Sequence, residues 1–359
     1  MKQSLTAIIL SVFLTVASAC ERGASVDEVR DQQRQGRFGA SVEPLRDMLE
    51  TQPDDPELHF LYGRALSRTG DPSRAVWSLR KAAEDPQWRV PAELELAAIA
   101  LRKSDWSQAV AAADRVLEVE PDHIAAHVVR GEAYLSEGKD PERALEDFEF
   151  VLEREPSNLG VSASRAAALL QADRVDEAAD LIDELESAEG EGAADTKTLA
   201  QLCSARAVLD YERGKVDEAE ARFEACLERF PMEEVVLGPA VGFWDRRGQP
   251  ERGTALIEAA LEKSPASTVL RSQLAGRAKA RGDLKEAESI LRAATTLPDR
   301  AARADAWTGL TNLYLEMDDL PNAISSYEQA LALAEDPPPL AILSYADMLA
   351  RDKRHEQAI

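Results

Sequence analysis

Between His123 and Pro156 the chain reads HIAAHVVRGEAYLSEGKDPERALEDFEFVLEREP, and its apolar positions fall three and four residues apart in two runs separated by a polar turn. That spacing predicts two amphipathic helices. The first carries Gly131 and Tyr134, the turn spans Gly138 to Pro141, and the second carries Ala144, Phe148 and Val151 before Pro156 stops it. Such a hairpin leaves one apolar face uncovered, and a neighbour of the same shape covers it. The pattern therefore specifies a stack of hairpins rather than a globule.

The small residue that opens the second helix recurs at Ser41, Ala75, Ala109, Ala144, Ala178, Ala219, Gly253, Ala287, Ala323 and Ala358, in steps of 34, 34, 35, 34, 41, 34, 34, 36 and 35. Twelve or thirteen residues before most of these openers stands a second small residue: Gly63, Ala97, Gly131, Ala166, Ala207, Ala275 and Ala346. Two facing small residues let paired helices approach closely. Four residues after the opener comes a larger apolar side chain, Leu45, Leu79, Phe148, Ile182, Phe223, Ile257, Leu291 or Tyr327, with Ala113 the exception. These fill the groove between neighbours. In the seventh unit the bulk has moved across the contact: Val241 stands where other first helices have Gly or Ala, and its partner is Gly253.

With this period and these marks, residues 22 to 359 resemble the tetratricopeptide repeat family. The resemblance implies an all-α fold, a right-handed superhelix of about nine helix-turn-helix repeats plus a partial tenth. Repeats 1–5 are expected over 22–190 and repeats 6–9 over 200–338, with an acidic, glycine-containing linker and the start of the next helix over 191–199 and a partial repeat over 339–359. The first unit reads as an amino-terminal cap; its second helix contains Pro44, which is tolerated only in a first turn. Solenoids need a polar terminal helix, yet the chain stops at Ala358-Ile359, where the tenth unit's second helix would begin. The array is expected to be part of a longer protein.

Residues 1–19, MKQSLTAIILSVFLTVASA, combine an early Lys2 with an apolar run from Ala7 to Val16 and small residues at Ala17 and Ala19. This reads as an export signal, too short for a comfortable membrane span. Cys20 follows directly, and the segment resembles a bacterial lipoprotein signal, although Ala17 stands where Leu is usual. The resemblance implies a lipid on Cys20, a mature chain beginning at residues 20–21 and, with Glu21 next, a place in the outer membrane facing the periplasm. A soluble periplasmic or secreted protein is the alternative.

The 66 acidic against 42 basic residues leave a net charge of −24. That argues against nucleic acid, which demands a basic stripe, and against direct docking on anionic lipid. About half of the excess lies between Asp140 and Asp195. Aromatics make up only 5% of the chain, as close helix packing requires. Cys203 and Cys226 fall in one hairpin at positions that antiparallel helices bring near each other; they are either a disulfide or two buried thiols. His123 and His127 have a helical spacing used by metal sites, but Ile124 replaces the glutamate of a zinc protease and no third ligand is evident. No nucleophile elbow or Cys–His pairing is present. No enzyme activity, metal, cofactor or small-molecule substrate is expected within this span.

The resemblance also implies a concave surface lined by the first helices. Carried over, it names Phe60, Arg64, Leu94, Leu101, Val128, Leu135, Leu170, Val208 and Tyr211 as a candidate groove for extended or helical protein segments. The lysine and asparagine with which some family members clamp a carboxylate terminus are absent; Phe60 and Arg64, or Val128 and Glu132, stand there. The expected function is a lipid-anchored scaffold for envelope or exopolysaccharide assembly or export. The alternative is the substrate-adaptor region of a larger periplasmic enzyme or regulator, with its catalytic part beyond residue 359.

Overall fold

A computed structural model describes residues 24–188, 194–231, 233–333 and 339–354. Among the described residues every regular element is an α-helix. They pair as hairpins: α1 (Val26–Arg34) with α2 (Phe38–Thr51), α3 (Pro56–Thr69) with α4 (Pro72–Ala83), and α5 (Arg89–Arg102) with α6 (Trp106–Leu117). Next come α7 (Ile124–Glu137) with α8 (Pro141–Arg154), α9 (Leu159–Gln171) with α10 (Val175–Ala188), and α11 (Thr196–Glu212) with α12 (Val216–Arg229). The last are α13 (Glu234–Arg246) with α14 (Pro250–Lys263), α15 (Thr268–Ala280) with α16 (Leu284–Ala294), and α17 (Arg300–Glu316) with α18 (Leu320–Leu333), followed by α19 (Pro339–Arg351) alone. Nine hairpins and the first helix of a tenth form the all-α solenoid the period specifies.

Local chemistry sets the helix ends. Asp55 accepts from the Glu57 and Leu58 amides at the start of α3, with Pro56 in the first turn where its missing N–H costs nothing. Gly70 ends α3 in the left-handed conformation at φ +90°, and Asp71 and Pro72 start α4 at once. A left-handed residue stands five or six positions before every opener, and at Ser104, Asp173, Asp318 and Lys353 it is not glycine. Each of these carries roughly 1 kcal/mol of backbone strain, held by the hairpin on either side.

The openers from Ser41 to Ala323 are all buried, eight of the nine with no exposed surface. Burial is spread along the stack as consecutive clusters with no single centre. The closest approaches are at glycine. A Cβ on Gly131 would lie 2.6 Å from Cε1 of the fully buried Phe148, and one on Gly63 would lie 2.7 Å from Leu79 Cγ. At Gly253 the Val241 Cγ1 contact is 3.3 Å, but Arg277 Nη2 at 3.0 Å and Asp245 Oδ1 at 3.2 Å are closer, so an ion pair fills the space as much as valine does.

Pro44 departs from expectation. Helix α2 begins at Phe38, a turn earlier than the opener suggested, so Pro44 lies inside it, where it deprives the Ala40 carbonyl of a partner. Around the interruption, α10 runs through Ser187 to Ala188, and Asp195 caps α11 by accepting from the Thr198 amide at 2.8 Å. Residues 1–20, the core of the linker at 189–193, and His355, Ala358 and Ile359 lie outside the described residues. The solenoid curls back on itself: Lys103 Nζ at the end of α5 lies 3.3 Å from Asp305 Oδ1 in α17, 202 residues away. No helix among the described residues is long and apolar enough to cross a membrane.

Overpacking is therefore graded. Gly131→Ala is expected to lower stability by about 1–3 kcal/mol because the Phe148 ring has nowhere to go, whereas Gly253→Ala, facing the movable end of Arg277, should cost about 1 kcal/mol or less after its gain in helix propensity. Thermal and urea unfolding of the two variants checks the order.

Candidate protein-docking groove

The groove residues stand at recurring positions of successive first helices, so one stripe of each helix faces the same way. Leu94 and Leu101 on α5, Val128 and Leu135 on α7, and Val208 and Tyr211 on α11 are each half-buried. One edge of each packs against buried clusters while the other stays open. Tyr211 lies edge-on to Phe243 at 5.3 Å, with the Arg246 guanidinium 5.0 Å from its ring centre. Two of the expected lining residues are corrected. Phe60 is 7% and Leu170 8% exposed, so they support the wall from within: Phe60 packs on Trp88 at 5.0 Å, and Leu170 joins the cluster of the fourth and fifth hairpins.

Polar groups mark both ends of the stripe. Arg64, half-buried, donates through Nε to Gln33 Oε1 at 2.8 Å, and its guanidinium lies 5.2 Å from the Phe60 ring centre. Arg102 donates to Ser67 Oγ at 2.8 Å, and Arg68 meets Glu95 at 3.4 Å. Partial loss of water and the like charge of Arg68 draw Arg64 and Arg102 below the ordinary arginine range, against the pull of Glu95. Further along, Lys197 pairs with Glu132 at 3.3 Å. At the start of α7 an open cleft of about 850 Å³ has a floor of Ile124, Ala125, Val128 and Val129 and an acidic rim of Glu120, Asp122 and Glu155.

The two histidines beside this cleft have structural roles. His123 caps α7, its Nδ1 accepting from the Ala126 amide at 3.4 Å. His127 is buried, with Nδ1 2.6 Å from Asp147 Oδ1 and Nε2 2.9 Å from the Pro121 carbonyl. Arg130 grips the same carboxylate through Nε and Nη2 at 2.9 and 2.8 Å, and its Nη1 reaches Asp114 at 2.6 Å, which raises the arginine further above its usual range. Among the described residues no group of three or more His, Cys, Asp and Glu could hold a metal.

His127 belongs to a recurring tie that the sequence did not disclose. The first-helix residue sixteen or seventeen positions before the opener reaches across to the second helix in several units: His59 to Ser78 Oγ at 3.2 Å, Glu93 to Arg115 at 2.7 and 2.8 Å, and His127 to Asp147. Cys203 occupies the same first-helix place and is joined to Cys226 as a disulfide, with Cα atoms 5.9 Å apart. The shared register was the available signal, but four different chemistries hid it.

Models of the tetratricopeptide repeat match residues 26–87, 94–142 and 139–194, and a second such model matches 306–341. No curated protein matches the chain. Among solved structures, the human IFIT1 dimer with PPP-AAAA is 15% identical over 92% of this chain and 82% of that one, with a TM-score of 0.42. Yeast Tom70 is 18% identical over 93% of this chain and 61% of its own, at 0.42. MamA from Desulfovibrio magneticus RS-1 is 19% identical over 47% of this chain and 94% of its own, at 0.43. At these identities the likeness is one of fold.

Removing the shared carboxylate leaves the buried His127 and the half-buried Arg130 without their common partner. Asp147→Ala is expected to destabilise the protein by about 3–5 kcal/mol, read as a lowered midpoint of urea unfolding.

Proposed function

The chain belongs to the tetratricopeptide-repeat proteins, and on that footing we propose that it is a lipid-anchored scaffold whose concave face holds segments of other proteins at a bacterial outer membrane, on the periplasmic side. The observation that carries the docking role is the set of half-buried apolar side chains, Leu94, Leu101, Val128, Leu135, Val208 and Tyr211, on the first helices α5, α7 and α11. A rigid stack pre-orders such a set, so a bound segment pays only its own ordering cost. The envelope location is supported by residues 1–20, where an apolar run and small residues lead directly into Cys20. A role in assembling or exporting an envelope or exopolysaccharide component is the finer reading, consistent with an acidic, exported, non-catalytic array.

Photo-crosslinking side chains placed at Leu101, Val128, Leu135 and Tyr211 in cells of the source bacterium should capture one common partner. Capture of nothing at any of the four would remove the groove as the working surface. Cys20→Ser should move the protein from the membrane fraction to the soluble periplasm; a variant that stays with the membrane defeats the lipid anchor.

A further inference from the structure

In a chain with 66 acidic residues against 42 basic ones, arginines have carboxylates to hand. Arg115, Arg130, Arg206 and Arg277 each hold one within 2.8 Å. Arg64 and Arg102 do not, nor do Arg246 and Arg303, but Arg64 and Arg102 share the field of the same neighbours, Arg68 and Glu95. Among the described residues neither forms an ion pair, and their hydrogen-bond partners are the neutral Gln33 and Ser67. Both stand on the concave stripe. Arg64 and Arg68 follow Phe60 at four-residue steps on α3, and Arg102 follows Leu94 and Ala98 at the same steps on α5. One carboxylate, Glu95, serves this group, pairing with Arg68 at 3.4 Å.

Three guanidiniums around one carboxylate leave uncompensated positive charge inside an otherwise strongly negative protein. Holding the half-buried Arg64 against a neutral partner costs free energy that a neighbouring Asp or Glu would offset. A ligand carboxylate supplies the same compensation, and the planar guanidinium takes it bidentately. Leu94 and Leu101, half-buried, lie on the same helix as Arg102. The site thus offers cationic forks beside apolar steps.

We propose that Arg64, Arg68 and Arg102, set on one concave stripe of α3 and α5 with only Glu95 among them, bind side-chain carboxylates of an acidic partner polypeptide whose interleaved apolar residues rest on Leu94 and Leu101. The ligand is a mid-chain acidic segment, since the lysine and asparagine that clamp a chain terminus are absent. A dense polyanion is disfavoured: Glu95 stands within the site and the surrounding net charge of −24 repels a polyphosphate or polyuronate. The assignment rests on the concave face being a docking surface, but it fails separately from it.

The test uses the whole chain and a fluorescent peptide of alternating glutamate and leucine with both ends blocked, with its lysine–leucine counterpart as control. Anisotropy should show the acidic peptide binding, weakening with added salt, and losing about tenfold or more in affinity in Arg64→Gln/Arg102→Gln. Without peptide the double variant should melt no lower than the parent, and peptide should raise the melting temperature of the parent alone. Arg102→Gln singly, at an exposed position, repeats the test should the double variant misfold. Equal binding by parent and variant, no binding of the acidic peptide, or tighter binding of an oligonucleotide or polyglucuronate of matched charge would each overturn the site. If crosslinkers at Val128 or Leu135 capture a partner that the double variant still holds, the docking face stands and the arginine site falls.

Discussion

Every level of this structure depends on pairs of helices approaching within the reach of a single methyl group. Alanine, serine or glycine at the openers permits that approach without losing side-chain entropy, and most first helices answer with another small residue, while Val241 faces a glycine opener. Once the hairpin is that close, the fourth residue beyond the opener is forced into the groove between units, and the large side chains Leu79, Phe148 and Phe223 become fully buried. The scarcity of aromatic residues follows from the same constraint. The aromatic cluster of Phe223, Phe243 and Trp244 sits next to the hairpin where bulk and glycine have changed sides.

A close approach at mid-helix leaves the open end of each hairpin to be secured separately. The tie sixteen or seventeen residues before the opener does this with whatever chemistry the pair supplies: an imidazole–hydroxyl contact, an arginine–glutamate fork, a histidine–aspartate–arginine cluster, or a covalent bond. These differ greatly in strength and in what disturbs them, by acid, salt or reductant, yet they serve one geometric purpose. The stack is therefore uniform in shape and heterogeneous in what holds it.

The repeat period, the helix pairing and the nine-and-a-half-unit count were legible because small residues and prolines act locally, wherever the chain is read. The left-handed turn residues were only partly legible: glycine announces itself at positions 70 and 138, but Ser104 and Asp173 adopt the same backbone because the flanking hairpin compels it. Pro44 misled for the complementary reason, since packing extended α2 past the point where propensity would have begun it. At the groove, register located the apolar column but could not say which members were covered; Phe60 and Leu170 are buried by Trp88 and by adjoining hairpins. The unpaired arginines were invisible in sequence because a missing ion pair is a property of spatial neighbours, here between units 34 to 38 residues apart.

The contact between Lys103 and Asp305 gives the molecule a mechanical character. It joins the third and ninth hairpins, with both side chains more than a third exposed, where such a pair contributes about 0–1 kcal/mol. That is comparable with thermal energy. The coil behaves as a spring whose ends meet at a weak clasp, opened by ordinary fluctuation or modest salt and reclosing without any repeat having to unfold. A segment held by the concave face, as proposed above, would then not have to thread in end-first; it would enter sideways while the clasp is open.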